Sequence, residues 1–284
     1  MKPAPFDYCK PSSLEEAFGM LEEHGDNASI LAGGQSLMAT LNMRLASPDL
    51  LIDINGIDYL KGISVDGDRL RIGALARHQE VEQSSDVAEK APLIAAAMPY
   101  VAHPAVRNRG TFGGSIALAD PAAELPACIT ALGGDIEIAS GSGTRKVPAE
   151  KFYRGLYDTD LDDNELVTAV EIPVIQTGYR SAFDELARRH GDYAMAGVAA
   201  HAQINGARIS NVRLVFFAVG GTPVIAESAG HMLEGLDIND ATIEAAQDVL
   251  DQDIEPFADN NCSAKTKLYY AKILAGRVLR KIAG

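Results

Sequence analysis

Residues 107–117 read Arg-Asn-Arg-Gly-Thr-Phe-Gly-Gly-Ser-Ile-Ala, and residues 31–37 carry a shorter related stretch, Leu-Ala-Gly-Gly-Gln-Ser-Leu. Consecutive glycines let the backbone approach a ligand closely, and their N–H groups can converge on an anion. Neither stretch has the lysine of the nucleotide-hydrolase phosphate loop or the glycine spacing of a Rossmann fold. The two stretches therefore predict either a pair of anion-binding turns or two tight turns of purely structural importance.

The residues around the first glycine pair predict a small β-α-β unit. Ser13 and Glu16 form a capping box, and the apolar residues that follow at helical spacing predict a helix that ends near Gly25. Short apolar runs at residues 29–32 and 50–54 predict strands. Together with a short strand at the N-terminus, these elements make a unit of about 55 residues.

The rest of the chain predicts antiparallel strands followed by helices. Asp66-Gly67 lies between two alternating segments, which is typical of a β-hairpin, and Asn205-Gly206 marks a second hairpin. A helical stretch is predicted at 93–98, and strands are predicted at 135–138, 165–172, 182–187, 194–204 and 212–219. The remainder is predicted to be helical, and we place a domain boundary near residue 177.

Composition excludes several classes of partner. The 284 residues include 39 acidic and 25 basic side chains, so the formal net charge is −14, which opposes binding to a phosphate backbone. We therefore expect no nucleic-acid partner. No uncharged apolar run reaches the roughly 20 residues that span a bilayer, and the N-terminus lacks a secretory signal. We expect a cytoplasmic protein with no membrane span.

The cysteines argue against a metal centre on this chain. Cys9, Cys128 and Cys262 lie far apart in the sequence and form no cluster with histidine, so neither zinc nor an iron–sulfur centre has enough ligands. We predict no metal site. A redox role would therefore require an organic cofactor.

Three ordered stretches resemble one protein family. Residues 32–37 with 48–54, residues 107–117 with 120–127, and residues 187–194 are similar to the FAD-binding medium subunit of molybdenum hydroxylases, the family of aerobic CO dehydrogenase and xanthine dehydrogenase. The resemblance covers essentially the whole chain. It implies an α+β fold: a vanillyl-alcohol-oxidase-type (PCMH-type) FAD-binding domain over 1–177, with subdomains of about 1–55 and 56–177. A C-terminal domain over 178–284 would add a three-stranded antiparallel sheet and helices.

The resemblance also implies a site for non-covalently bound FAD between the domains. Residues 29–37 and 111–115 would hold the pyrophosphate, and five further positions would contact other parts of the cofactor, with Tyr193 as a neighbour of the flavin ring. No catalytic residue is predicted. The implied cofactor-binding residues are Ser29, Ile30, Leu31, Ala32, Gly33, Gly34, Gln35, Ser36, Leu37, Val101, Ala102, Thr111, Gly113, Gly114, Ser115, Asp120, Glu124, Val167 and Tyr193.

The function implied by the resemblance is electron transfer within an oxidoreductase. The chain would be one subunit of a heterotrimer, with [2Fe–2S] clusters on a small subunit and molybdopterin on a large subunit, assembled as a dimer of heterotrimers. Electrons would pass from the clusters through FAD to an external acceptor. The sequence identifies neither the substrate nor the electron acceptor. Because Asp184 replaces a lysine that contacts FAD in xanthine dehydrogenases, NAD ranks lower as the acceptor.

Two alternatives remain at the level of sequence. A stand-alone flavin oxidoreductase of the same fold would act directly on a small molecule. A scaffold protein would keep the fold without the flavin, but the intact glycine pairs argue against this alternative.

Overall fold

The computed structural model describes residues 2–284, and its first unit is a three-stranded parallel sheet with order β1-β3-β2. The oxygen of Ser13 accepts from the N–H of Glu16, and Gly25 ends the first helix, as predicted. The Glu16 carboxylate bonds to Ser12 rather than to Ser13, so the predicted capping box is displaced by one residue. The elements are β1 (Asp7–Cys9), α1 (Leu14–His24), β2 (Ala28–Leu31), α2 (Leu37–Asn42) and β3 (Leu50–Asp53).

The second unit is a five-stranded antiparallel sheet with order β4-β5-β10-β6-β7, covered by short helices. The predicted hairpin at Asp66-Gly67 is present. The strands are β4 (Ile63–Asp66), β5 (Arg69–Gly73), β6 (Asp135–Ser140), β7 (Gly143–Pro148) and β10 (Leu166–Pro173), with β8 (Tyr153–Gly155) and β9 (Asp158–Thr159) forming a separate pair. The helices are α3 (His78–Gln83), α4 (Ser85–Lys90), α5 (Pro92–Ala97), α6 (Pro104–Arg107), α7 (Phe112–Leu118), α8 (Glu124–Ala131) and α9 (Ala149–Phe152).

The third unit is an antiparallel sheet with a helical layer on one face. Its three long strands match the prediction, and a two-residue strand is added at one edge. The elements are β11 (Tyr179–Ala187), β12 (Ala194–Asn205), β13 (Arg208–Phe217), β14 (Val224–Ile225), α10 (Glu227–Leu233), α11 (Asp240–Asp248), α12 (Leu250–Asp253) and α13 (Ala264–Ala283). Within residues 2–284, no helix combines the length and apolar character needed to cross a membrane.

The two faces of the third sheet lie in different cores because strand side chains alternate. Ala182, Val198 and Phe216 face the helical layer. Phe183 and Phe217 face the other way, into the core of the second unit, where their rings stack at 5.7 Å between centroids. The second and third units therefore share one apolar core.

One local prediction is wrong. The sequence predicts that the second glycine pair forms a turn, but Gly113 and Gly114 lie in the first turn of α7. Neither glycine has a positive φ. Thr111 caps α7, because its hydroxyl oxygen accepts from the N–H of Gly114 at 3.2 Å. The glycines are therefore not required for a left-handed turn.

Candidate functional site

The two glycine stretches, far apart in sequence, meet in space. We call residues 32–37 loop A and residues 109–115 loop B. A Cβ atom on Gly33 would lie 2.5 Å from the carbonyl oxygen of Arg109 and 2.9 Å from the Cα of Gly110. Only a residue without a side chain fits between these backbones. Loops A and B thus form one continuous surface, as the resemblance implied for a shared site.

Loop A presents free backbone donors. The N–H groups of residues 33–36 donate to no acceptor within residues 2–284. Gly34 has φ of 71°, a conformation that favours glycine, and the Gln35 amide donates to the carbonyl oxygen of Gly33 at 3.2 Å, which closes the turn. Successive free N–H groups of this kind are a typical binding site for an anion such as a pyrophosphate.

Most N–H groups of loop B donate hydrogen bonds to acceptors within the protein. Phe112 and Gly113 donate to the carbonyl oxygens of Ala76 and Ala74, each at 2.9 Å. A Cβ on Gly113 would lie 2.5 Å from the Cβ of Ala74, so glycine is needed there for packing against the chain that follows β5. The hydroxyl of Ser115 has no hydrogen-bond partner within residues 2–284 and is available to a ligand. The cofactor contacts of Thr111, Gly113, Gly114 and Ser115 stay predictions.

The cap of α7 makes a testable contribution to stability. Thr111 is buried, and replacing it with valine removes the oxygen that accepts from the Gly114 N–H. We expect Thr111→Val to lower the free energy of unfolding by about 1 kcal/mol, as is usual for the loss of an N-cap. Denaturant titration measures the change. Thr111→Ser keeps the oxygen and is the matched control; equal stability of the two variants would contradict the assigned cap.

A polar clamp behind the loops was missed by the sequence analysis. The Arg77 guanidinium donates to the Arg109 carbonyl oxygen at 2.5 Å and to the Asn55 side-chain oxygen at 2.6 Å. The Asn55 amide donates in turn to the carbonyl oxygen of Ala32 at 2.8 Å. Arg77 therefore ties loop B directly, and loop A through Asn55, which fixes the two loops relative to each other.

The clamp is anchored in the parallel sheet. Asp53 accepts from the Asn55 amide at 2.6 Å and from the Tyr8 hydroxyl at 2.5 Å. Burial raises the pKa of Asp53, but the hydrogen bonds from Tyr8 and Asn55 outweigh burial and hold the pKa below its usual value. A usable sequence signal existed: Asp53, Asn55 and Arg77 are polar residues that closely follow apolar strand segments.

The segment that contains Val101 and Ala102 is held from two sides. The buried Arg107 donates to both carbonyl oxygens at 3.0 Å and pairs with Glu82 at 2.8 Å, which makes it a positioning residue for this segment. Residues 187–194 approach this segment from the other side. A Cβ on Gly191 would lie 2.6 Å from the His103 ring. Residues 187–194 of the third unit therefore meet the second unit at this segment.

Three of the implied cofactor contacts, Asp120, Glu124 and Tyr193, lie where the second and third units meet. Tyr193 is 69% exposed, and partial burial together with the charges of Asp120 and Glu124 raises the pKa of its phenol. Tyr157, which sequence reasoning missed, donates to Asp120 at 3.4 Å. Glu124 is buried, and burial raises its pKa to about 7, with a further contribution from Asp120. The structure brings Asp120, Glu124 and Tyr193 close together, and their contacts with a cofactor stay predictions.

Other predicted positions are less accessible. Val101 and Val167 each expose 6% of their surface and pack in the core, so their side chains offer a cofactor little area. Ser29, Ile30 and Leu31 are half-buried in β2. Asp184 pairs with Lys281 at 3.2 Å on the helical side of the sheet. Within residues 2–284, no group of three or more His, Cys, Asp or Glu residues is arranged to hold a metal ion.

Two family models match the chain. Residues 4–175 match the FAD binding domain in molybdopterin dehydrogenase, and residues 181–282 match the CO dehydrogenase flavoprotein C-terminal domain. The chain therefore carries an FAD-binding domain. The free N–H groups of loop A and the close approach of loop B at Gly33 fit the pyrophosphate of such a cofactor.

Relatives match over the full length. The caffeine dehydrogenase subunit beta of Pseudomonas sp. (strain CBB1) is 36% identical, over 100% of this chain and 96% of its own. A structure of CO dehydrogenase from Hydrogenophaga pseudoflava that lacks the Mo-pyranopterin moiety of the molybdenum cofactor has a TM-score of 0.97 at 35% identity, covering 99% and 98% of the chains. Quinoline 2-oxidoreductase from Pseudomonas putida 86 has a TM-score of 0.95 at 38% identity, covering 100% and 98%.

Proposed function

The chain belongs to the family of FAD-binding medium subunits of molybdenum hydroxylases, and on that premise we propose that it is the electron-transfer subunit of a heterotrimeric dehydrogenase. Bound FAD would accept electrons from [2Fe–2S] clusters of a small partner subunit and pass them to an external acceptor. The large partner subunit would hold molybdopterin and oxidise the substrate. Support comes from relatives that are named as subunits or medium chains of dehydrogenases.

The observation that carries this proposal is the joined surface of loops A and B. Free N–H groups at residues 33–36 would bind the pyrophosphate. The Arg77 clamp would fix the positions of the two loops relative to each other. The hydroxyls of Ser36 and Ser115 would add donors. Tyr193, Asp120 and Glu124 would lie beside the flavin ring. We propose that the protein's contribution is to bind and orient the cofactor and to adjust its electrostatic surroundings.

The proposed assembly is a dimer of heterotrimers in the cytoplasm. The acidic surface, with a formal net charge of −14, would disfavour association with nucleic acid or an anionic membrane. The substrate class is not assigned by this chain, because substrate would bind to the large subunit.

A purification from the native host tests the proposal. We expect an affinity-tagged copy of the chain to bring down one larger and one smaller chain, and the sample to show flavin absorption together with broad iron–sulfur absorption. Mass spectrometry of the co-purifying chains and a visible spectrum make the two measurements on one sample. A yellow protein that purifies alone under gentle conditions would overturn the assembly and favour a stand-alone flavin oxidoreductase.

A further inference from the structure

Three non-glycine residues with a left-handed backbone lie beside Asp120 and Pro121. Ala119, with φ of 51°, directly precedes Asp120. Tyr157, with φ of 56°, donates its hydroxyl to the Asp120 carboxylate at 3.4 Å. Ala218, with φ of 60°, donates its N–H to the carbonyl oxygen of Pro121 at 2.7 Å. A Cβ disfavours this conformation because it crowds the following carbonyl oxygen, so such residues persist only where other contacts hold them.

The turn that contains Asp120 spans residues 120–123, and we call it the Asp120 turn. The backbone oxygen of Asp120 accepts from the N–H of Ala123 at 3.0 Å, and its carboxylate accepts from the N–H of Ala122 at 2.9 Å. These local bonds set the shape of the turn. The Ala218 N–H joins the turn to the third unit, because Ala218 directly follows β13. The place of the turn relative to that unit therefore depends on the conformation of Ala218.

A buried lysine of α13 holds the other side of Ala218. Lys267 is 3% exposed, and its ammonium group donates to the carbonyl oxygen of Ala218 at 2.7 Å. The N–H and the carbonyl of one residue belong to the two planar peptide groups that flank its Cα, and the orientations of these planes define φ and ψ. Pro121 fixes the first plane, and Lys267 fixes the second. The two bonds together therefore hold Ala218 at its positive φ.

The charge of Lys267 is compensated inside the third unit. Asp259 Oδ2 lies 2.8 Å from the ammonium nitrogen, and the ring centroid of Phe257 lies 5.2 Å from it. Asp259 also accepts from the N–H groups of Asn261 and Cys262, at 2.7 and 2.9 Å. Lysine is almost never buried without such a partner, because its desolvation is costly. Lys267 therefore contacts two features: the loop that contains Asp259, and the backbone of the residue that follows β13.

We propose that Lys267 is a positioning residue for the candidate cofactor site, and that it acts through Ala218 on the Asp120 turn. Its hydrogen bond holds Ala218 in the left-handed conformation, in which the Ala218 N–H fixes Pro121 and so places the carboxylate of the neighbouring Asp120. We call these two successive hydrogen bonds the relay. The relay itself is independent of any cofactor. Its contribution to FAD binding rests on the proposed function, because the contact of Asp120 with FAD stays a prediction.

Hydrogen exchange on the full apoprotein chain tests the relay. Lys267→Met removes the donor and keeps the apolar stem, so the N–H of Ala218 should exchange about tenfold faster relative to the N–H of Gly230. The Gly230 N–H bonds to the carbonyl oxygen of Ala226 at 3.0 Å and reports general unfolding of the third unit. Lys265→Met, at an exposed position on the same helix, is the matched control and should leave this ratio of rates unchanged. An unchanged ratio in Lys267→Met would overturn the relay.

Glycine at position 218 separates the relay from a general packing role of the lysine. Because glycine adopts a positive φ without steric cost, a chain that carries Ala218→Gly should need the lysine less. When Lys267→Met is combined with Ala218→Gly, its effect on exchange of the N–H at position 218 should fall from about tenfold to less than about threefold. If the lysine only anchored the loop of Asp259, its effect would be the same in both backgrounds. That result would overturn action through Ala218.

The same variants test the contribution to the cofactor. In the FAD-loaded chain, Lys267→Met should lower FAD affinity about tenfold and change the visible circular dichroism of the bound flavin, whereas Lys265→Met should match the wild type. Addition of Ala218→Gly to Lys267→Met should restore most of the affinity. Faster exchange at Ala218 with unchanged affinity and dichroism would overturn the contribution to the cofactor and leave the relay intact. Neither measurement needs the partner subunits, so failure of the proposed assembly is recognised separately by the purification experiment.

Discussion

Gly33→Ala is expected to lower the affinity for FAD about 100-fold, which corresponds to about 3 kcal/mol. The reason is steric: the new Cβ would lie 2.5 Å from the carbonyl oxygen of Arg109 and 2.9 Å from the Cα of Gly110. Both contacts are with backbone, which cannot rotate away as a flexible side chain would. Loop A must therefore move away from loop B, and a bound pyrophosphate would lose the surface formed by both.

Flavin retention and fluorescence titration of the apoprotein measure this effect. Circular dichroism confirms that the variant keeps its fold. Gly19→Ala is the matched control, because Gly19 lies inside α1 and a Cβ there has nothing within 4 Å. The control should keep full FAD affinity and gain up to about 1 kcal/mol of stability from the better helix former. If Gly33→Ala binds FAD as tightly as Gly19→Ala does, the assignment of this junction is wrong.

Arg77→Met should lower the affinity for FAD by about 10- to 100-fold, or roughly 1.4 to 3 kcal/mol. The methionine keeps the apolar stem but removes both donors, so the carbonyl oxygen of Arg109 and the side-chain oxygen of Asn55 lose their shared partner. The two loops then shift relative to each other. Arg77→Lys should fall in between, since an ammonium group lacks the fork that reaches both acceptors.

The control for Arg77→Met is the same substitution at an exposed arginine. Arg208 lies at the far hairpin of the third sheet, 3.9 Å from Asp237, and Arg208→Met should leave FAD affinity unchanged. Binding is measured by flavin titration, and stability is measured in parallel by denaturant unfolding. Loss of stability in Arg77→Met with unchanged flavin affinity would assign the clamp a purely structural role.

Local signals predicted the elements whose determinants are local. Ser13 and Gly25 delimit α1 because a cap needs only neighbouring residues, and the turns near Gly67 and Gly206 follow from residues that accept positive φ. Strand β7 was missed because it lies at the edge of its sheet and is largely polar and exposed. Helix α8 was missed because it contains Pro126, which is tolerated in the first turn of a helix.

The sequence predicted which residues belong to the candidate site, but it did not predict how those residues contact one another. The resemblance named loops A and B, but no local pattern shows that Gly33 touches Gly110, because that contact depends on how two sheets pack. Arg77 was missed for the same reason: its role comes from bridging residues distant in sequence. For loop B, the pattern of two glycines predicted a ligand-approaching turn, whereas packing against Ala74 explains Gly113.

The core shared by the second and third units limits the motions open to the molecule. A hinge rotation that separated the second and third units would bring Phe183 and Phe217 into water, and each buried phenylalanine contributes about 2 kcal/mol or more. An opened form would therefore be populated at roughly one part in a thousand or less, since about 4 kcal/mol corresponds to that ratio. Exchange of a bound cofactor should then proceed past the exposed Tyr193, without separation of the second and third units.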